Sequence, residues 1–216
     1  MTGPSHLPTR IPILPTLLVI LAALTMIGLG IWQLERRAEK RDAIALAAAN
    51  PQRPSVAFPM LPPIAPDLLF RRSSVHCLRV VDWRVEAGRA ADGSTGYRHI
   101  ARCATGAEGP GVMVALGVGQ KPDQAPAWNG GQVEGWISQE PDHRPLLARI
   151  GGDAPPLRPM LIARTAPPGL KRVAPPRAAD LPNNHLAYAM QWFFFAAVAV
   201  IIYIVALRRR SGGKTA

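Results

Sequence analysis

The stretch Ile11–Leu34, IPILPTLLVILAALTMIGLGIWQL, decides the architecture. It holds no Asp, Glu, Lys or Arg and exceeds the roughly 20 apolar residues that cross a bilayer as a helix. Pro12 and Pro15 fall near its start, where a helix tolerates proline. A cleavable signal peptide has an apolar core of about 7–15 residues and a small-x-small cleavage site. This run is longer and closes on Trp32, Gln33 and Leu34, so it reads as a retained signal anchor. At the far end of the chain, Leu181–Leu207 is equally free of Asp, Glu, Lys and Arg and slightly longer.

These two runs divide the 216 residues. The expected order is an N-terminal segment 1–10, a transmembrane helix over 11–34, a β-rich domain with proline-rich connectors over 35–182, a second transmembrane helix over 183–207, and a basic tail 208–216. The fold class is an α+β membrane protein: two transmembrane helices flank a small antiparallel β-rich extracytoplasmic domain. A purely soluble chain is excluded, and so is a disordered one, because 18% charge with a positive mean hydropathy does not keep a chain unfolded.

Two spans put both termini on one side of the bilayer. Arg208, Arg209 and Arg210 directly follow the second span and mark that side as cytoplasmic. Arg36, Arg37, Lys40 and Arg41 follow the first span and pull the other way, but long loops largely escape the charge rule. The central domain is therefore expected in the periplasm, and the protein in a bacterial inner membrane.

The net charge of +11 is unevenly placed. Between the runs, twenty Lys and Arg stand against all fourteen Asp and Glu, a net of +6 with the signs intermixed. That is a solvated basic surface, and no nucleic-acid-binding motif accompanies it. Residues 35–49 read as a charged continuation of the first helix, with Glu35 and Glu39 interleaved among Arg36, Arg37, Lys40 and Arg41. Six prolines in 51–66 and eight in 155–182 mark extended connectors. Between them, β-branched residues and glycine-rich turns predict strands over Ser74–Val85, Gly96–Ala104, Gly111–Val118, Gln132–Ser138 and Pro159–Arg164, in a small antiparallel sheet or barrel. A helix is expected near 141–150.

The chemistry-bearing motifs are few. Gly-x-Ser-x-Gly, a phosphate-binding Gly-Lys-Ser/Thr loop and His-Glu-x-x-His are all missing from the sequence, and the acids of the central segment are scattered. No enzyme is expected. His76-Cys77 and His99-x-x-x-Cys103 leave three readings: a Cys77–Cys103 disulfide if their strands are neighbours, two unpaired thiols, or a four-ligand metal site. The metal site needs distorted geometry, because residues 76 and 77 point to opposite faces of a strand.

The second span opens Leu181-Pro182-Asn183-Asn184-His185-Leu186-Ala187-Tyr188-Ala189-Met190-Gln191-Trp192. Asn183 or Asn184 can cap the helix start. His185, Tyr188 and Trp192 follow on one face. An ionisable residue at a membrane-embedded helix end is a functional candidate; a plain aromatic belt at the interface is the competing reading. The first span ends with Gly28, Gly30, Trp32, Gln33 and Arg36 on the same membrane face as His185 in a two-span hairpin. An imidazole, aromatic walls and a cation are the parts needed for an iron axial ligand, a flat macrocycle and its acidic side groups. The competing reading is a bare helix–helix contact.

These two edge segments resemble the Surfeit locus protein 1 family, also called the Shy family. Leu29-Gly30-Ile31-Trp32-Gln33-Leu34-Glu35-Arg36, with Lys40 after it, looks like that family's L-G-x-W-Q-L-x-R-x-x-x-K pattern. Pro182-Asn183-Asn184-His185-Leu186-Ala187-Tyr188-Ala189 with Trp192 looks like its P-N-N-H-L-x-Y-A-x-x-W pattern. Gly96-Tyr97 and Gly135-Trp136-Ile137 fit more weakly. Val114-Ala115-Leu116-Gly117-Val118 departs from the family's V-N-R-G-W. The resemblance implies a membrane-anchored assembly factor for haem-copper cytochrome c oxidase, one that binds haem a and delivers it to oxidase subunit I. It implies His185 as the haem iron ligand, Arg36 against a propionate, Trp32, Tyr188 and Trp192 as walls, and Gln33 as an orienting residue. Oxidase subunit I, the haem a synthase and the lipid bilayer are the partners it implies. The alternative is a cofactor-free structural adaptor that docks on oxidase subunits.

Overall fold

The computed structural model describes residues 12–123, 126–145 and 155–212. The chain forms two compact units, one of residues 43–181 and one of the segments that flank them.

The flanking unit is a pair of helices. Helix α1 spans Ile13–Ala49 without interruption, and helix α2 spans His185–Gly212. Pro15 lies in the first turn of α1, where its missing N–H costs nothing. The Pro12 carbonyl accepts both the backbone N–H of Thr16 at 3.1 Å and the Thr16 hydroxyl at 2.7 Å. Arg209 and Arg210 fall in the last turn of α2, where cations suit the helix dipole. At about 1.5 Å per residue, both helices exceed a hydrocarbon core of about 30 Å. In the most apolar part of each, only 11% and 6% of the residues are buried by protein. A core helix of a soluble domain would be mostly buried, so both are apolar enough and bare enough to span a membrane. This is consistent with membrane anchoring.

The least exposed positions of α1 recur every three or four residues, at Thr16, Val19, Ala23, Met26, Gly30 and Gln33. Those of α2 do the same, at His185, Ala189, Phe193, Ala196, Ala199 and Tyr203. The stripes are rich in small residues, which let helix backbones approach in a bilayer. They meet at three levels. The Thr16 and Tyr203 hydroxyls hydrogen-bond, a Cβ on Gly30 would land on the Phe193 ring, and Gln33 bonds His185 at 2.7 Å. Both stripes run in order from opposite ends, so the helices are antiparallel.

The central unit is one six-stranded sheet. Strands β1 (Arg72–Cys77), β2 (Arg79–Arg89), β3 (Thr95–Ala104), β4 (Val112–Gly119), β5 (Gly131–Gln139) and β6 (Pro159–Ala163) follow in chain order. In space the order is β1-β5-β6-β4-β3-β2. Two expectations are corrected here. The run expected as one strand, Ser74–Val85, breaks at Leu78, whose N–H bonds the Ala104 carbonyl at 2.9 Å. Its first half pairs with β5 and its second half with β3. Both outermost strands are thus neighbours in the chain, and the sheet curls back on itself. Second, the sheet is mixed, because β4 and β6 run parallel from Met113↔Met160 to Ala115↔Ile162. The long connection from β5, in the proline-rich stretch, lets β6 enter between β5 and β4.

Curling gives the sheet an inner core that includes Cys103, Val114, Leu116 and Leu161. A second cluster, with Ile100, Met113, Met160 and Val173, covers the other face. All eight residues of β4 are buried, since it has protein on both sides. The chain after β6 supplies part of that cover: Lys171 exchanges both backbone bonds with Val118, and Ala174 bonds the Arg89 carbonyl. Asp92 and Ser94 hold the Lys171 ammonium at 2.9 and 3.0 Å. The Lys171 bond, with those that the Ser94 hydroxyl and N–H donate to Asp92, keeps the Asp92 carboxyl below its usual range.

The helix expected near 141–150 is not formed over Pro141–Pro145, where the second proline lacks a helix donor. The rest of that stretch lies outside the described residues.

Candidate functional site

Gln33 lies at the apolar end of α1 and His185 is the first residue of α2. Antiparallel packing sets them opposite each other, with His185 Nδ1 2.7 Å from Gln33 Oε1. The amide oxygen can only accept, so Nδ1 carries the hydrogen. The ring's other nitrogen, Nε2, makes no hydrogen bond among the described residues and keeps its lone pair. Asn184 takes the cap position through its backbone, its carbonyl accepting the Tyr188 N–H at 3.3 Å. Among the described residues, neither Asn183 nor Asn184 shows a side-chain bond that caps the helix. Asn183 Oδ1 instead is buried without a hydrogen-bond partner, two residues from His185.

The other four residues expected at this site make separate contacts. Arg36 stacks over the Trp32 ring at 5.7 Å and pairs with Glu39 at 2.7 Å. Trp32 is half-exposed and Tyr188 is exposed. Trp192 meets Phe195 edge-on, with centroids 6.3 Å apart. Gln33 and His185 are thus the pair brought into contact from one helix to the other. Glu39 was not foreseen as the partner of Arg36; its three-residue spacing on a helix was the available signal.

A haem seat needs a nitrogen lone pair beside aromatic surface and a cation. His185 Nε2 is such a nitrogen, and the Trp32 ring and Arg36 lie within one turn of Gln33, in the interior of α1. Those chemical types are present on the two helices, with Arg36 engaged by Glu39.

In the central unit, Cys77 and Cys103 form a disulfide, Cα to Cα 5.2 Å. Their strands, β1 and β3, are not paired; the bond forms because Cys77 ends β1 at the break, where the chain turns to run beside β3. Both sulfurs are consumed, which removes the metal-site reading. Among the described residues no three His, Cys, Asp or Glu side chains gather as a metal site. His76 points outward, while His99 is buried beside Trp83, ring centroids 6.5 Å apart. Burial lowers the His99 pKa against the raising effect of a bond to the Lys121 backbone. The cavities of this unit are open and mixed in character. One of about 710 Å³ is lined by Trp136, Glu134, Arg164 and Arg172.

An apolar antiparallel helix pair carrying a histidine, joined to a curled β-sheet domain, is consistent with a small membrane-anchored protein. A profile of the SURF1 family matches residues 20–197, from the first helix into the second. The chain belongs to the SURF1 family, and its role is in the assembly of cytochrome c oxidase. No curated protein matches it.

Proposed function

We propose that the protein carries haem a to oxidase subunit I, receiving it from the haem a synthase, with its sheet domain in the periplasm of a bacterial cell. Haem a is the cargo, and no bond of it is changed here. His185 offers Nε2 to the iron. Trp32, Tyr188 and Trp192 flank the macrocycle, and Arg36 turns from Glu39 to a propionate, a charge-assisted pairing for which its planar fork is suited. The observation that carries this reading is the 2.7 Å contact between Gln33 and His185, which brings the two motif-bearing helix ends together. Co-expression with the haem a biosynthetic enzymes and purification in detergent tests it. The expected result is a co-purifying haem spectrum that His185→Ala abolishes. A haem-free wild type, or equal haem in His185→Ala, overturns it.

Two observations favour a cofactor-free adaptor as a second reading: Arg36 is already paired with Glu39, and Tyr188 is exposed. In that case the helix pair docks on oxidase subunits through its bare apolar faces. Capture of subunit I from cells lacking haem a, unchanged by His185→Ala, would select it.

A further inference from the structure

We infer that Gln33 is a positioning residue that fixes the tautomer of His185, leaving Nε2 as the only ring nitrogen able to ligate, and that its neutral amide keeps that ligand weak enough to release its cargo. The first half stands on the geometry alone. Nδ1 lies 2.7 Å from Gln33 Oε1, an atom with lone pairs and no hydrogen. The hydrogen bond made by one imidazole nitrogen decides which nitrogen carries the proton. Gln33 is held in turn by α1, in the stripe that faces α2.

The second half rests on the haem reading above. Ligating histidines commonly donate their other N–H to a carboxylate or a carbonyl, which orients the ring and raises its basicity. A carboxylate would draw the Nδ1 proton strongly and make Nε2 a stronger electron donor. An amide oxygen carries no full charge and does this far less. A resident haem suits the first arrangement, and a cargo that must be passed on suits the second. Gln33 is therefore the setting that makes His185 a temporary ligand.

The test has two arms, run on the full chain in detergent micelles. In the first, ¹⁵N spectra of the imidazole are recorded without haem, with His185→Ala used to assign the signal. The wild type is expected to show a protonated Nδ1 and an unprotonated Nε2. Gln33→Leu is expected to move the proton to Nε2, and Gln33→Glu to keep it on Nδ1. The same tautomer in wild type and Gln33→Leu overturns the inference. In the second arm, ferric haem b is titrated in. Gln33→Leu should weaken binding by about 10- to 100-fold, while Gln33→Glu should release haem more slowly and lower the iron reduction potential. Unchanged release and potential in Gln33→Glu overturn the release half. If no variant binds haem while the tautomer shifts as expected, the haem reading fails and the positioning role of Gln33 stands.

Discussion

Phe193 of α2 lies over Gly30 of α1, its ring filling the space that a side chain at position 30 would take. The contact sits one turn below the Gln33–His185 bond, so the glycine allows the approach that the hydrogen bond needs. Gly30→Leu should overpack it, costing about 1–3 kcal/mol. Titration of the detergent-solubilised protein with a denaturing detergent, followed by helical circular dichroism, should show an earlier transition. Gly28→Leu makes the control, since a Cβ there meets nothing within 4 Å.

The Cys77–Cys103 bond closes a loop with a sequence separation of 26. Loop-closure entropy gives about 3.5 kcal/mol for a ring of this size. Cys103→Ser, or reductant added to the wild type, should lower the urea midpoint of the sheet domain accordingly. A reductant effect that persists in the Cys77→Ala/Cys103→Ala double variant would refute the assignment.

His99 should make that domain sensitive to acid. The unfolded chain takes up its proton near 6.5, the folded chain only at lower pH, because burial disfavours the charged ring. Between those values the unfolded state binds more protons, so stability rises with pH there. The stability it contributes is present above about pH 6.5 and is lost as pH falls through the folded value. Urea unfolding at several pH values should show this slope, and His99→Phe should flatten it.

Asn50 follows the end of α1 and is fully buried. Its amide nitrogen donates to the carbonyls of Asp67 at 2.9 Å and Leu69 at 2.8 Å, and its oxygen accepts from Arg53 at 3.2 Å. Asn50→Ala strands two carbonyls and should cost about 1–3 kcal/mol. Asn50→Asp should be at least as damaging, because it sets a carboxylate against the same two carbonyls. Thermal melts of both variants would check the order.

The two long apolar helices could be read from the chain because they write themselves as long uncharged runs, as Ile11–Leu34 and Leu181–Leu207 do. The last four strands, β3 to β6, lie within a residue or two of expectation, since turn residues bracket them. The break at Leu78 left no such trace. Val80 and Val81 continue the β-branched pattern across it, and only the choice of partner, β5 before and β3 after, creates the bend. That choice also explains why the disulfide was one of three open readings: it depends on a joint that no local spacing reveals. The parallel entry of β6 is a topological fact of the same kind. At the helix ends, the meeting of Gln33 with His185 follows from hairpin geometry and was legible. The engagement of Arg36 by Glu39 had only their three-residue spacing as a signal, and the exposure of Tyr188 follows from helix packing that a motif does not encode.

The sulfur bridge also ties this protein to redox geography. Cytosolic thiols are held reduced, and such bridges persist where oxidants reach them. A chain whose sheet domain never left the reducing side would be made with the joint between its first two strands unstitched. Cells short of thiol oxidants should then accumulate a protease-sensitive form of it, and oxidase maturation would falter for want of a properly knotted helper rather than for want of haem.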